Sequence, residues 1–440
     1  MSTSAQPDLF AFLHIDLNSF FASVEQQLHP EFRGKPTGVV PTMADTTSLI
    51  AASYEAKALG IKTGTRVSEA KRICPGIILV NGDHSAYAEY SHNIAAAVER
   101  VCPVAHTPSI DEMVCQLLGR ERNPPAARKI SLAIKQGIKD DVGETLRCSI
   151  GMAPNRYLAK IASDMQKPDG LIGLLPSQLP RAISHLELRD LPGIGARTEI
   201  RLHAKGIRSM SELLALDRTG MHQLFDSVWG DRMYHWLRGA DTGDDGAPIP
   251  AELQKSLGHS HVLAPEHRSP EGAWAVAHKL LHKAAMRLRM EHFHTCSLSV
   301  TIKYALTREQ SARAAKSKQH YSGIKNIGWG MEARFRPCQD TLSLLEALQG
   351  CWKQQPTGPE HAKPFFVGVT LRNLIPEDEM QTTLFEEPGN RNQLSATMDK
   401  LNLKYGHTTL HFAGMLPARD SAPPRNAFTQ IPVQYGVGVM

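Results

Sequence analysis

Apolar residues dominate the octet "LFAFLHID" (residues 9–16), which closes on an acid, and the following "FFASVEQQL" changes to the spacing of a helix. A buried strand, then Asp16, then a helix is therefore the first expectation. Between 47 and 72 small residues predominate in two helical pieces divided by Gly60 and Gly64. "DHSAYAEYSHNIAAAVERV" (83–101) and residues 125–141 read as amphipathic helices, "TLRCSIGMA" as a strand, and "NRYLAKIASDMQ" as a helix ending at Lys167-Pro168-Asp169-Gly170. Strands and helices follow one another without a regular βαβ repeat, so the fold class is α+β and multidomain.

After "PSQLPRAISHLELRD" the pattern turns helical and short-looped to about residue 240, which marks another domain. Gly239, Gly243 and Gly246, interleaved with Asp241, Asp244 and Asp245, form a linker. From 253 the order is strand, helix (270–290), strand, strand, helix (341–352), strand. In the second of these strands Leu298, Val300, Ile302 and Tyr304 alternate with Ser297, Ser299, Thr301 and Lys303. Such a β-α-β-β-α-β order fits a small sheet with two helices on one face. Residues 376–440, with their prolines, glycines and scattered charges, read as a largely flexible tail.

One stretch breaks the pattern. "TPSIDEMVCQLLG" (107–119) reads as strand, yet Asp111 and Glu112 are adjacent in it. Neighbouring strand side chains point to opposite faces, so one acid would head for the core, where an unpaired charge is costly. Either the strand breaks there or something positive holds both acids.

Composition narrows the class. At 440 residues the chain exceeds one hydrophobic core, and two to four domains are expected. No stretch reaches the length of a membrane span and the start lacks a signal-peptide pattern, so a cytoplasmic location is expected. Seven scattered cysteines without a C-x-x-C pair argue against a disulfide framework or a structural zinc site. The net charge is only +5, but residues 251–375 hold 17 Lys and Arg against 9 Asp and Glu, which suggests a face for a polyanion. Within it His259 and His261 read as exposed positions near that polyanion, and His282, Lys283, Arg287 and Arg289 as the solvated or polyanion-facing side of their helix.

In "LPGIGARTEIRLHAKGI" Gly193 and Gly195 allow a tight turn between two short helices, whose free N–H groups suit a DNA phosphate. This is a helix-hairpin-helix pattern. Taken together, "HIDLNSFFASVE", "SIDEM", "KIASDMQKPDG" and "LPGIG" resemble, in order and approximate spacing, the Y-family translesion DNA polymerases of the DinB/UmuC superfamily, from about residue 10 to 375. "AKALGIKTG", Asn18 and the tail blocks "QTTLF" and "MDKLNLKYGHTTLHFAG" look closer to the UmuC branch.

The resemblance implies a right-hand polymerase: palm 1–30 and 75–175, fingers 31–74, helix-hairpin-helix thumb 176–245, DNA-binding little finger 253–375, and a tail 376–440 with a clamp motif. It implies error-prone, two-metal-ion nucleotidyl transfer opposite damaged bases in DNA repair and the SOS response, with two Mg²⁺ ions. Asp16 and Asp111 would bridge both ions, Glu112 would bind the catalytic one, and the carbonyl of Leu17 would complete the other. Phe20 and Phe21 would present N–H groups to the triphosphate, Phe21 acting also as the steric gate against a ribose 2′-hydroxyl, and Tyr54, Lys57 and Lys167 would contact the phosphates. Ala51 and Lys57 depart from the family's frequent Thr and Arg, and a lysine lacks the bidentate fork. Gly193, Gly195, Lys255, Lys303, Arg334 and Arg336 would contact primer-template DNA, and Gln381, Leu384 and Phe385 the sliding clamp. A UmuD-like subunit or a recombinase filament would be further partners. The alternative is a non-catalytic accessory protein of polymerase shape that binds DNA and clamp, which intact Asp16, Asp111 and Glu112 disfavour.

Overall fold

Residues 7–45, 47–243, 255–305, 326–355, 363–380, 390–406 and 409–419 are described by a computed structural model. Backbone proximity divides the chain after Pro248 into two units, taken separately below.

The first unit is built on a five-stranded sheet of order β5-β6-β1-β7-β8. Its strands are β1 (Phe12–Leu17), β5 (Val104–Ser109), β6 (Glu112–Gln116), β7 (Cys148–Ala153) and β8 (Leu171–Gly173). Every residue of β1 is buried, as its unbroken apolar run requires of a central strand. β1 pairs antiparallel with β6 and β7, which sets Asp16 opposite both Glu112 and Ser149. Helices α1 (Phe20–Leu28), α4 (His84–Glu99), α5 (Pro124–Asp141) and α6 (Arg156–Met165) accompany this sheet. Gly151 lets α6 lie close to β7: a Cβ there would stand 2.0 Å from the Ala159 carbonyl oxygen.

A second, three-stranded sheet joins β2 (Thr37–Val40), β3 (Ala51–Ala52) and β4 (Ile78–Asn81), next to the short helices α2 (Tyr54–Ala58) and α3 (Val67–Ile73). Residues 196–236 form α7 (Ala196–Ala204), α8 (Met210–Leu214), α9 (Arg218–Phe225) and α10 (Val228–Trp236). Gly193 has φ 90° and packs so closely on Trp229 that a Cβ would lie 2.9 Å from the indole, while Gly195 caps α7.

The second unit has the expected β-α-β-β-α-β order: β9 (Ser256–Val262), α11 (Pro270–Met290), β10 (Phe293–Ala305), β11 (Asn326–Cys338), α12 (Thr341–Trp352) and β12 (Pro364–Pro376). The antiparallel sheet runs β11-β10-β12-β9. Leu298, Val300 and Ile302 of β10 join Leu280, Leu281, Leu344 and Leu348 of the helices in one core.

Three expectations need correction here. His259 and His261 are register partners of the buried Val369 and Val367, so they face the core side of the sheet; Gly258 and Ser260 occupy the open face. His282, Lys283 and Arg289 are not a DNA-facing side of α11 but lie under the C-terminal segment. That segment, expected to be flexible, contains helix α13 (Asn390–Tyr405) and a 3₁₀ stretch, Ala413–Ala418. Asp399 of α13 accepts from Arg289 Nε at 2.6 Å and a second nitrogen at 2.9 Å, Ser395 caps the Thr341 N–H at 3.1 Å, and Phe412 lies 5.0 Å from the His282 ring. The inner face of α13 includes buried Ser395 and Asn402, so apolar periodicity did not announce it. The clamp-motif residues Gln381, Leu384 and Phe385 lie outside the described residues. Among the described residues no helix is long and apolar enough to cross a membrane.

Candidate functional site

The adjacent acids escape the strand conflict because the strand ends between them. Ile110 and Asp111 form the two-residue turn of the β5-β6 hairpin, and Glu112 is the first residue of β6. The turn is tied to β1 by a bond from the Leu17 N–H to the Asp111 carbonyl, 2.9 Å. Ser109 Oγ lies 2.6 Å from Asp111 Oδ1 and 3.2 Å from Glu112 Oε2.

Asp16 is 8% exposed, and two lysines hold its carboxylate. Lys160 Nζ lies 2.6 Å from Asp16 Oδ2 and 2.6 Å from Glu112 Oε1, while Lys167 Nζ lies 2.6 Å from Asp16 Oδ1 and 2.8 Å from Asp164. His14, two residues before Asp16 on β1, places Nε2 3.7 Å from Glu112 Oε1. Among the described residues the close trio able to share a cation is His14, Asp16 and Glu112, with donor atoms within 4.8 Å of one another. Asp111 lines the adjoining cleft instead of joining that trio.

The two hairpin acids titrate in opposite directions. Burial raises Asp111 above the usual carboxylate range; the Ser109 hydroxyl offsets part of this, and the charges of Asp16 and Glu112 add to it. Burial would also raise Glu112, but His14 and the Lys160 ammonium outweigh it and hold that carboxyl well below the usual range. Burial lowers Lys160 and Lys167, yet in both the nearby carboxylates, Asp16 first, win and push the pKa above the ordinary lysine value.

The cleft measures about 400 Å³, and Asp16, Leu17, Phe20, Phe21, Ala51, Lys57, Asp111 and Lys167 are among the residues lining it. Ser19, at φ 51°, turns the chain from β1 into α1, so the first N–H groups of α1, those of Phe20 and Phe21, have no intrahelical partner. Lys57 Nζ donates to Ser19 Oγ at 2.6 Å and sits 4.4 Å from the Tyr54 ring centroid. Burial first, then Lys167, lowers Lys57 below the usual lysine value. One face of the second unit's sheet carries exposed Lys303 on β10, Arg334 and Arg336 on β11 and Arg372 on β12; Lys255, also exposed, precedes β9.

Sequence reasoning missed Lys160 and His14. His14 has a local signal, since it shares a strand face with Asp16. Lys160 has one too: it precedes Asp164 by four residues, which puts the two along one side of α6.

A profile of the impB/mucB/samB family matches residues 15–164, and the profile of that family's C-terminal domain matches 254–384. DNA polymerase IV of Moorella thermoacetica is 31% identical over 402 residues, covering 90% of this chain and 94% of the relative. DNA polymerase IV 1 of Bacillus subtilis is 28% identical over 95% of this chain and 96% of the relative. Among solved structures, a Y-family DNA polymerase chimera of Dbh and Dpo4 superposes with a TM-score of 0.67 at 22% identity, covering 83% of this chain and 99% of that one, and so shares the fold. Relatives that span nearly the whole chain carry the DNA polymerase IV name, which favours the DinB branch and corrects the expected closeness to UmuC. The blocks that suggested UmuC are short; the agreement over 402 residues is not.

Proposed function

The chain belongs to the impB/mucB/samB family, the Y-family DNA polymerases, and on that premise we propose that it extends primers opposite damaged template bases by two-metal-ion nucleotidyl transfer. It is a DNA-directed DNA polymerase of the translesion class. The observation that carries the mechanistic reading is the convergence of Asp16 and Glu112 on one cation position, beside a cleft lined by Asp111 and the N-terminus of α1.

Family members are metal-dependent, and the donors here suit a hard divalent cation: carboxylate oxygens from three residues, with one imidazole nearby. Magnesium is the ion proposed, held by Asp16, Asp111, Glu112 and the Leu17 carbonyl. Two such ions supply activation of the primer 3′ oxygen and charge stabilisation at the triphosphate. The chain's own residues do the positioning. N–H groups at the start of α1 and the ammonium groups of Lys57 and Lys167 meet phosphate oxygens, with Tyr54 beside them. The rim of Phe21 closes the space beside the sugar carbon that carries a 2′-hydroxyl in ribonucleotides. Gly193, Gly195 and the exposed cations Lys255, Lys303, Arg334 and Arg336 hold the primer-template backbone.

Error-prone synthesis in the damage response, a cytoplasmic location and clamp docking through Gln381, Leu384 and Phe385 belong to the same reading. Dependence on a UmuD-like subunit or a recombinase filament was tied to the UmuC branch and falls away with it. The test is primer extension with Mg²⁺ on undamaged and abasic templates by the wild type, Asp111→Ala and Glu112→Ala. Extension past the abasic site by the wild type and a loss of at least about a hundredfold in each variant are expected. Equal extension by all three would reject the metal-site assignment, and no extension by the wild type would return the accessory-protein reading.

A further inference from the structure

Glu25 is a buried carboxylate that the reaction above does not use. It is 2% exposed and lies four residues after Phe21, on the same face of α1. Opposite that face is Tyr87, in the first turn of α4 and 0% exposed. The Tyr87 ring stacks on Phe21 with centroids 4.3 Å apart and planes 12° from parallel, and its hydroxyl donates to Glu25 Oε1. On the other oxygen, Glu25 Oε2 is 4.0 Å from His29 Nε2. His84 adds a third ring, 6.2 Å from Phe21 and 5.9 Å from Tyr87.

Packing alone does not call for this arrangement. A phenylalanine would fill the same volume, and burying a carboxylate with a hydroxyl is costly unless each satisfies the other. What the pair achieves is fixation: stacking leaves a ring free to slide in its plane, whereas a hydroxyl anchored to the helix that bears Phe21 removes that freedom. Discrimination against one extra oxygen depends on the blocking ring not yielding by a few tenths of an ångström. We propose that Tyr87 and Glu25 form a brace that holds Phe21 against the nucleotide sugar, making them positioning residues for the choice of deoxyribose over ribose. This inference rests on the reading of Phe21 as the sugar gate.

The experiment measures kcat/KM for a deoxynucleotide and the matching ribonucleotide with the full chain and Mg²⁺, in wild type, Phe21→Ala, Tyr87→Phe, Glu25→Leu and Glu25→Gln. Phe21→Ala should relax sugar selectivity most. Tyr87→Phe and Glu25→Leu should each relax it about five- to twentyfold, more than they change kcat/KM for the deoxynucleotide. Glu25→Gln, which keeps an acceptor for the Tyr87 hydroxyl, should retain selectivity, and Tyr87→Phe should add nothing in a Phe21→Ala background. If Glu25→Leu does not fold, the nearly isosteric Tyr87→Phe carries the test. Relaxed selectivity in Phe21→Ala with wild-type selectivity in Tyr87→Phe overturns the brace and leaves the gate standing. Unchanged selectivity in Phe21→Ala removes the gate, and the brace with it.

Discussion

Lys160 and Asp16 are 144 residues apart in the chain, yet the lysine bonds both that acid and Glu112. A partly buried cation between two carboxylates balances a repulsion that would otherwise destabilise the fold. Removing one partner of such a set leaves the other charges uncompensated. Lys160→Met should therefore destabilise the metal-free protein by about 2 kcal/mol, a value reduced from that of a fully buried pair because the lysine is partly in contact with water. Added Mg²⁺ should recover part of that loss, since a divalent cation supplies the missing charge. Urea denaturation with and without the metal checks this; equal stability of variant and wild type in the metal-free state would show that Lys160 carries no such load. Lys57 raises a separate question of strength, because its single point charge stands where a forked guanidinium is frequent in the family.

At the scale of elements, the packing of α11 against β9 and the C-terminal segment makes the second unit sensitive to acid. His261 is held down to about 4, chiefly by burial and then by Lys283, Lys279 and His267. His282 is held down to about 3 by burial, His278, Arg289 and His411. Both are neutral in the fold and take protons in the unfolded chain below its ordinary value of 6.5. The unfolded state thus binds more protons in this window, and stability falls as pH drops from 6.5 through the folded pKa. The urea midpoint should be level above pH 6.5 and decline towards pH 4, and the double variant His261→Gln, His282→Leu should flatten the decline. An unaltered pH profile in that variant would assign the acid sensitivity elsewhere. The close approach of α6 to β7 at Gly151 is the corresponding device in the first unit: it brings the helix that carries Lys160 within reach of the acids on β1 and β6.

For the whole molecule, the proposed hold on DNA is a matter of charge. Lys303, Arg334, Arg336 and Arg372 are exposed on a sheet face that also carries serine, threonine and glycine, with Glu332 interposed and Phe366 and Val262 beside Lys303. Each phosphate contact releases about 0.9 counterion on duplex DNA. Replacing Lys303, Arg334 and Arg336 together with alanine should make the slope of log affinity against log salt shallower by about 2 to 3. Fluorescence anisotropy over a salt series measures it, and an unchanged slope would remove these three residues from the interface.

Much of this organisation was legible in the chain. Apolar alternation marks β10 and a continuous apolar run marks β1, because each side chain reports which side of its own strand is dry. The matching of α1 and α12 to their predicted limits, and the adjacency of Asp111 and Glu112 at a tight turn, are likewise local. What depends on register and packing between distant segments was not legible. The placing of His14 against Glu112 follows from the β1-β6 register, and that of Lys160 from the face α6 turns to the sheet. The docking of α13 through serine, asparagine and a carboxylate was hidden because polar contacts have no period, and burial of His261 under α11 because a histidine looks alike in solvent and in a core. Local periodicity determined the elements and the acids; only the folded arrangement decided which cations meet them, since electrostatic partners are chosen by distance in space and not along the chain.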